Sequence, residues 1–200
     1  MTRDTRAELL DAAVDHVARH GLADLSLRRL AGALGTSHRM LSHYFGSKEG
    51  LWVAIVREVE RRQREAFREL APVPGASMAD ALRAWWEHIS DPSLWPNARL
   101  FFEVYGQALV GQTPARALLD GVIDSWVDLA ADLGESMGIP RADARSFARL
   151  GVAVTRGLLL DLLATGDRAG VDAAMELWIR TTTAHIGVEG VRPTATSDLG

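Results

Sequence analysis

Leu25-Ser-Leu-Arg-Arg-Leu-Ala-Gly-Ala-Leu-Gly35-Thr-Ser-His-Arg-Met-Leu-Ser-His-Tyr-Phe45-Gly-Ser-Lys48 is the stretch on which the fold turns. Ser26 reads as the N-cap of a short helix carrying Leu27, Leu30, Ala31 and Leu34 at helical spacing and ending at Gly35. Thr36-Ser37 opens a second helix, His38 to Tyr44, with Leu41 and Phe45 turned inward. Glycine at the junction reaches positive φ without a Cβ clash, and Ala31 is small enough for the two helices to cross closely. This is the sequence form of a helix-turn-helix. The stretch holds Arg28, Arg29, Arg39, Lys48 and two histidines, and no acidic residue. Hairpins of this kind also serve as plain packing units with a solvated basic face. As a reader of DNA, the second helix would lie in the major groove with its N-terminal donors toward the base edges.

Working outward, Leu9, Leu10, Ala13, Val14, Val17 and Ala18 form the apolar face of a first helix, opened by Thr5 and Glu8 at capping-box spacing and stopped by Gly21. After Gly46-Ser47 a long fourth helix begins near Lys48 with Leu51, Trp52, Ile55, Val56 and Val59. It continues as a mixed-charge run, Arg57 to Glu69, whose Glu58/Arg62 and Glu60/Arg64 pairs suit an exposed helix. Pro72, Pro74 and Gly75 mark the main break in composition. Beyond it, prolines at positions where helices begin divide the chain into predicted helices near 77–89, 97–110, 115–134, 140–165 and 171–187. No alternating β-branched run with hairpin turns occurs, so the predicted class is all-α. The predicted organisation is a three-helix domain over 1–48, a C-terminal helical domain over 49–187 with 49–70 as linking helix, and a loose tail over 188–200.

Of the 200 residues, 22 are Lys or Arg and 26 Asp or Glu, a formal charge of −4. A uniformly basic coat is excluded, and positive charge is local: residues 71–200 hold ten basic against sixteen acidic side chains, giving −6. Zero cysteine removes disulfide scaffolds, thiolate catalysis and thiolate metal sites. Met1 to Arg6 leads into the first helix without the apolar core of a signal peptide, and no apolar run approaches membrane-spanning length. A cytoplasmic protein with no membrane partner is the expectation.

The run from Ala31 through Gly35-Thr36-Ser37-His38-Arg39-Met40-Leu41-Ser42-His43-Tyr44-Phe45-Gly46-Ser47-Lys48-Glu49-Gly50-Leu51 closely resembles the DNA-binding signature of the tetracycline-repressor (TetR) family of bacterial regulators. The resemblance covers about the first fifty residues. Two positions depart from the family pattern: Ser42 stands where Tyr is usual, and Tyr44 where His is usual. The resemblance implies that Ser37, Tyr44 and Lys48, with Ser26, contact phosphates, and that Thr36, His38, Arg39, Met40 and His43 face base edges. Arg39 is the leading base reader, since bidentate donation to guanine is the commonest specific contact. A small-molecule effector and a C-terminal pocket are implied as well. Trp85, Trp86, Phe102, Tyr105 and Trp126 are the candidate lining; their plainer role is to fill a helical core. The last two helices carry Phe147, Leu150, Val154, Leu158, Met175 and Trp178, the candidate face for a homodimer on double-stranded operator DNA, or else an intrachain core. Asp161, inside an apolar run, is either a buried anchor or an exposed position on a dimer helix.

Catalytic chemistry finds little support. Gly134-Glu135-Ser136-Met137-Gly138 matches the G-x-S-x-G nucleophile pattern, with His185 as a conceivable base, but a helix precedes it where the motif needs a strand. His16 and His20 have i, i+4 spacing without a third ligand, so a solvated face is expected and no metal or cofactor. The expectation is a ligand-responsive repressor that releases a palindromic operator; the alternatives are a small-molecule hydrolase using Ser136, or a helical interaction protein without DNA binding.

Overall fold

A computed structural model describes residues 5–20, 26–70, 76–111 and 115–189. Among them the chain is helical throughout: α1 (Thr5–His20), α2 (Leu27–Ala33), α3 (His38–Phe45), α4 (Lys48–Glu69), α5 (Met78–Ile89), α6 (Trp95–Leu109), α7 (Val122–Ser136), α8 (Arg141–Thr165) and α9 (Arg168–Glu189). Short 3₁₀ turns cover Pro92–Leu94 and Ala115–Leu118. Gly21, the Pro72–Gly75 break, Thr113-Pro114 and most of the predicted tail lie outside the described residues.

The boundaries differ from the sequence expectations where local chemistry intervenes. The helix predicted over 115–134 is two pieces, because Gly121 takes a left-handed φ of 73° and α7 starts after it. The helix expected from 97 starts at Trp95, where Pro96 needs no amide partner in the first turn. The last begins at Arg168 rather than 171, since the Asp167 carboxylate accepts from the Gly170 amide at 3.0 Å and the Asp167 carbonyl from Val171 at 3.1 Å.

One core joins the N-terminal helices to α6: Val17, Leu30, Leu41, Leu51, Ile55, Leu100, Val104 and Leu118 belong to a single buried cluster. Each fully buried aliphatic side chain contributes about 1.5–3 kcal/mol relative to exposure. Two further clusters lie deeper in the C-terminal part. Trp86, Leu159, Leu162, Val171, Met175 and Ile179 join α5, α8 and α9, while Val127, Ala131, Ile139, Ala144 and Ala148 join α7 to α8. Polar ties follow the same seams. Arg83 on α5 grips Glu176 on α9 at 2.9 and 2.7 Å, and Arg62 on α4 reaches Asp11 on α1 at 2.9 Å.

Candidate nucleic-acid interface and cavity

Ser26 and Ser37 cap α2 and α3, each side-chain oxygen accepting a backbone N–H three residues on, from Arg29 at 3.3 Å and Met40 at 3.1 Å. The cap uses an oxygen lone pair and leaves the hydroxyl proton available to donate, which suits an anion at the helix start. Gly35, at φ 64°, makes the turn between α2 and α3. Leu41 is fully buried and Phe45 nearly so, so α3 is seated by those two side chains and shows its other face to solvent. On that face His38, Arg39, Met40 and His43 are exposed; Thr36 and Tyr44 are half-buried, and the His43 and Tyr44 rings meet edge to face at 5.1 Å.

A third serine, Ser47, caps α4 by accepting from the Gly50 amide at 3.0 Å. Next to it, exposed Lys48 holds its ammonium 5.8 Å from the ring centre of buried Trp52, a cation–π contact that places the charge at the first turn of α4. α3 and α4 approach so closely that a Cβ on Gly50 would lie 2.2 Å from the Phe45 carbonyl oxygen. The position and aim of α3 are therefore set by α4.

α4 then leads to a cavity of about 120 Å³. Its wall comes from α4, α5, α6, α7, α8 and α9 and includes Trp85, Phe102 and Trp126 of the candidate lining. Trp86 and Tyr105 lie outside that wall. Trp86 packs between α5, α8 and α9 with its indole N–H donating to Asp172 at 2.7 Å, and Tyr105 stacks on Phe101 at 5.3 Å. The wall also holds polar groups that sequence reasoning missed: Glu60, Gln63, Asn97, Thr155 and Arg156. Glu60 belongs to the mixed-charge run read as exposed, yet its side chain is only 12% exposed. Its carboxylate accepts the Trp126 indole N–H and lies 3.6 Å from Arg156 and 3.7 Å from Arg64. Burial pushes the Glu60 carboxyl above the usual range against the pull of Arg156, Trp126 and Arg64, and burial likewise lowers the Arg156 guanidinium. The available signal was Arg156 itself, one of two charges, with Asp161, inside the apolar run Gly151 to Leu163.

Residues 9–55 match the family model described as bacterial regulatory proteins, tetR family. Over these residues the chain is similar to the tetR family. Among curated relatives, the HTH-type transcriptional regulator BetI of Klebsiella pneumoniae is 32% identical over 80 residues, covering 40% of this chain and 41% of that protein. The HTH-type transcriptional repressor AcnR of Corynebacterium glutamicum is 35% identical over 85 residues, covering 42% and 45%. The chain thus spans less than half the length of these relatives. Solved structures extend the fold likeness to nearly the whole chain. A transcriptional regulator from Rhodococcus sp. RHA1 superposes with a TM-score of 0.72 at 19% identity, covering 91% of this chain and 97% of that one. BioQ, solved with its natural double-stranded DNA operator, gives 0.60 at 21% identity, covering 92% and 100%.

The candidate dimer residues fall in different settings. Leu150 is 52% exposed on α8, Val154 and Leu158 are half-buried, Met175 is buried, and Phe147 and Trp178 line the cavity. The outward face instead presents Leu150, Ala153, Gly157 and Leu160 on α8 and Ala173, Ala174 and Leu177 on α9. Asp161 is exposed beside Leu160. Ser136 sits in the last turn of α7, its hydroxyl donating to the Leu133 carbonyl at 2.7 Å, which is a helix end rather than a strand-to-helix elbow. The side chain of His185 lies outside the described residues. His16 and His20 stack at 4.3 Å, and no grouping of three or more metal-ligating residues occurs among the described residues. Nor is any described helix long and apolar enough to cross a membrane.

Proposed function

We propose that the chain is a cytoplasmic, ligand-responsive transcriptional regulator: a homodimer that reads a palindromic operator with paired α3 helices and releases it when a small apolar or aromatic molecule fills the cavity. The observation that carries this reading is the reach of α4. Gly50 in its first turn packs against Phe45 of the proposed DNA-reading hairpin, while Glu60, Gln63 and Phe67 on the same helix line the cavity. At 1.5 Å per residue, Lys48 and Glu60 are separated along the helix by about 18 Å. A ligand that shifts Glu60 therefore tilts the element against which α3 is seated, and operator affinity changes by the ligand's differential affinity for the two positions of α4.

Two-fold pairing supports the same reading, since one recognition helix reads only a few base pairs and a symmetric pair doubles the contacts. The exposed apolar face of α8 and α9 is the surface proposed to pair. The resemblance to repressors such as AcnR and the operator-bound likeness of BioQ favour a role on DNA. The test is a pair of substitutions read by fluorescence anisotropy on duplexes selected from a random pool. Lys48→Ala should weaken all sequences about equally, whereas Arg39→Ala should relax preference at one base position per half-site. Unchanged affinity and unchanged preference in both variants would contradict the assigned roles.

A further inference from the structure

We propose that the effector of this cavity is a small monocarboxylate: an apolar body about one ring in size, with its carboxylate held by Arg156. The inference rests on the ligand-sensing reading above and narrows the class of ligand.

Its basis is the inventory of groups in the cavity wall. Most of the lining is aliphatic or aromatic, with Leu82, Trp85, Phe102 and Trp126 among it, so the body of the ligand is apolar. At about 120 Å³, the space is close to that of a cavity known to accept a benzene ring. Among the described residues, the only charged ones in the wall are Glu60 and Arg156. Glu60 is shared between two guanidiniums, those of Arg64 and Arg156, each too far for a hydrogen bond, so this group of one carboxylate and two guanidiniums carries one net positive charge. Both terminal nitrogens of Arg156 and the indole nitrogen of Trp178 are buried and make no hydrogen bond within the protein, whereas Asn97 Oδ1 is the one wall acceptor in the same condition among the described residues. Three orphaned donors against one acceptor, beside a net positive charge, call for an acceptor-rich anion. A carboxylate meets the two parallel N–H groups of a guanidinium in bidentate fashion. A ligand cation is disfavoured: although aromatic rings surround the space, Glu60 is already claimed by two positive partners.

The arrangement also supplies the coupling. A carboxylate on Arg156 competes with Glu60 for that guanidinium and loosens the tie between α8 and α4.

Isothermal titration of the full-length protein at neutral pH distinguishes the possibilities, using three series of equal size: benzoate, phenylacetate and hexanoate; their amides; and benzylamine, phenethylamine and hexylamine. At least one acid is expected to bind about tenfold or more tighter than its amide and its amine. Arg156→Gln should abolish that preference while the amide still binds, and Glu60→Gln should tighten the acid severalfold by removing the competitor. Circular dichroism checks that each variant is folded; if Arg156→Gln is not, the wild-type series and Glu60→Gln carry the test. Equal binding of acid and amide, tighter binding of an amine, or no binding by any acid would overturn the proposal. The same samples, added to protein bound to labelled DNA, separate the two levels. Release by amides alone keeps the sensor and discards the carboxylate, whereas acid binding without release keeps the carboxylate and discards the sensor.

Discussion

Ser26, Ser37 and Ser47 each occupy the residue before a helix and accept an amide from its first turn. Losing such a cap costs about 1 kcal/mol. Ser37→Ala is accordingly expected to lower unfolding free energy by about that amount in urea titration, and to weaken DNA binding further by removing a hydroxyl donor. Ser37→Thr should keep most of both. Glu58 gives a pH signature. Its hydrogen bonds from Arg61 and then Arg62 outweigh the cost of burial and hold the carboxyl below its ordinary value of 4.5. A depressed folded pKa contributes stability that is fully present above 4.5 and is lost as pH falls through the folded value. Glu58→Gln should thus be less stable than wild type at neutral pH, with the gap closing in acid; a gap that widens on acidification would contradict the assignment. The helix starts at Ser26 and Ser37 were legible in the sequence because serine before an apolar helical pattern has one main use, whereas the cap at Ser47 was read only as part of a break. Glu60 was not, since i, i+4 charge pairs look alike on an exposed and a buried face, and its deciding partner, Arg156, is brought up by a helix far along the chain.

At the scale of elements, α3 and α4 meet in close contact at Gly50. A Cβ on Gly50 would press on backbone at Phe45, which has no rotamer by which to yield. Gly50→Ala is expected to cost about 1–3 kcal/mol in thermal or chemical unfolding, and to impair DNA binding by moving α3. The α8/α9 face makes a second prediction. Leu160 is 49% exposed and Leu177 54% exposed amid alanines and glycines. Leu177→Arg places a charge on that face without disturbing the protomer core, so on the proposed pairing light scattering should show a dimer for wild type and a folded monomer for the variant. A dimer of unchanged stability would move the interface elsewhere. Helix periodicity made the existence of these elements readable, but not which of their faces meets its own chain. Met175 and Leu177 are two residues apart, and tertiary packing alone turns one into the core and the other to solvent. Gly121 and Asp167 were missed as boundaries for a related reason: each acts through one local torsion or one hydrogen bond that leaves the apolar pattern intact.

Across the whole molecule, charge and core are distributed in opposite ways. The charge is partitioned, with an acid-free hairpin at one end and an excess of acid after residue 70. The core is continuous from α1 to α6, and the helices of the hairpin share it with α4 and α6, which contribute to the cavity wall. That combination supports a molecule which contacts a polyanion with one small face and governs the contact from within. The central claim is that the paired α3 helices read DNA, and selection of duplexes from a random pool by the full-length protein, followed by affinity measured against salt, tests it most directly. The account predicts enrichment of a palindrome with half-sites about one helical turn apart, and an affinity that falls by about a hundredfold or more between about 50 and 200 mM salt. Failure to enrich any sequence, or binding insensitive to salt, would contradict it.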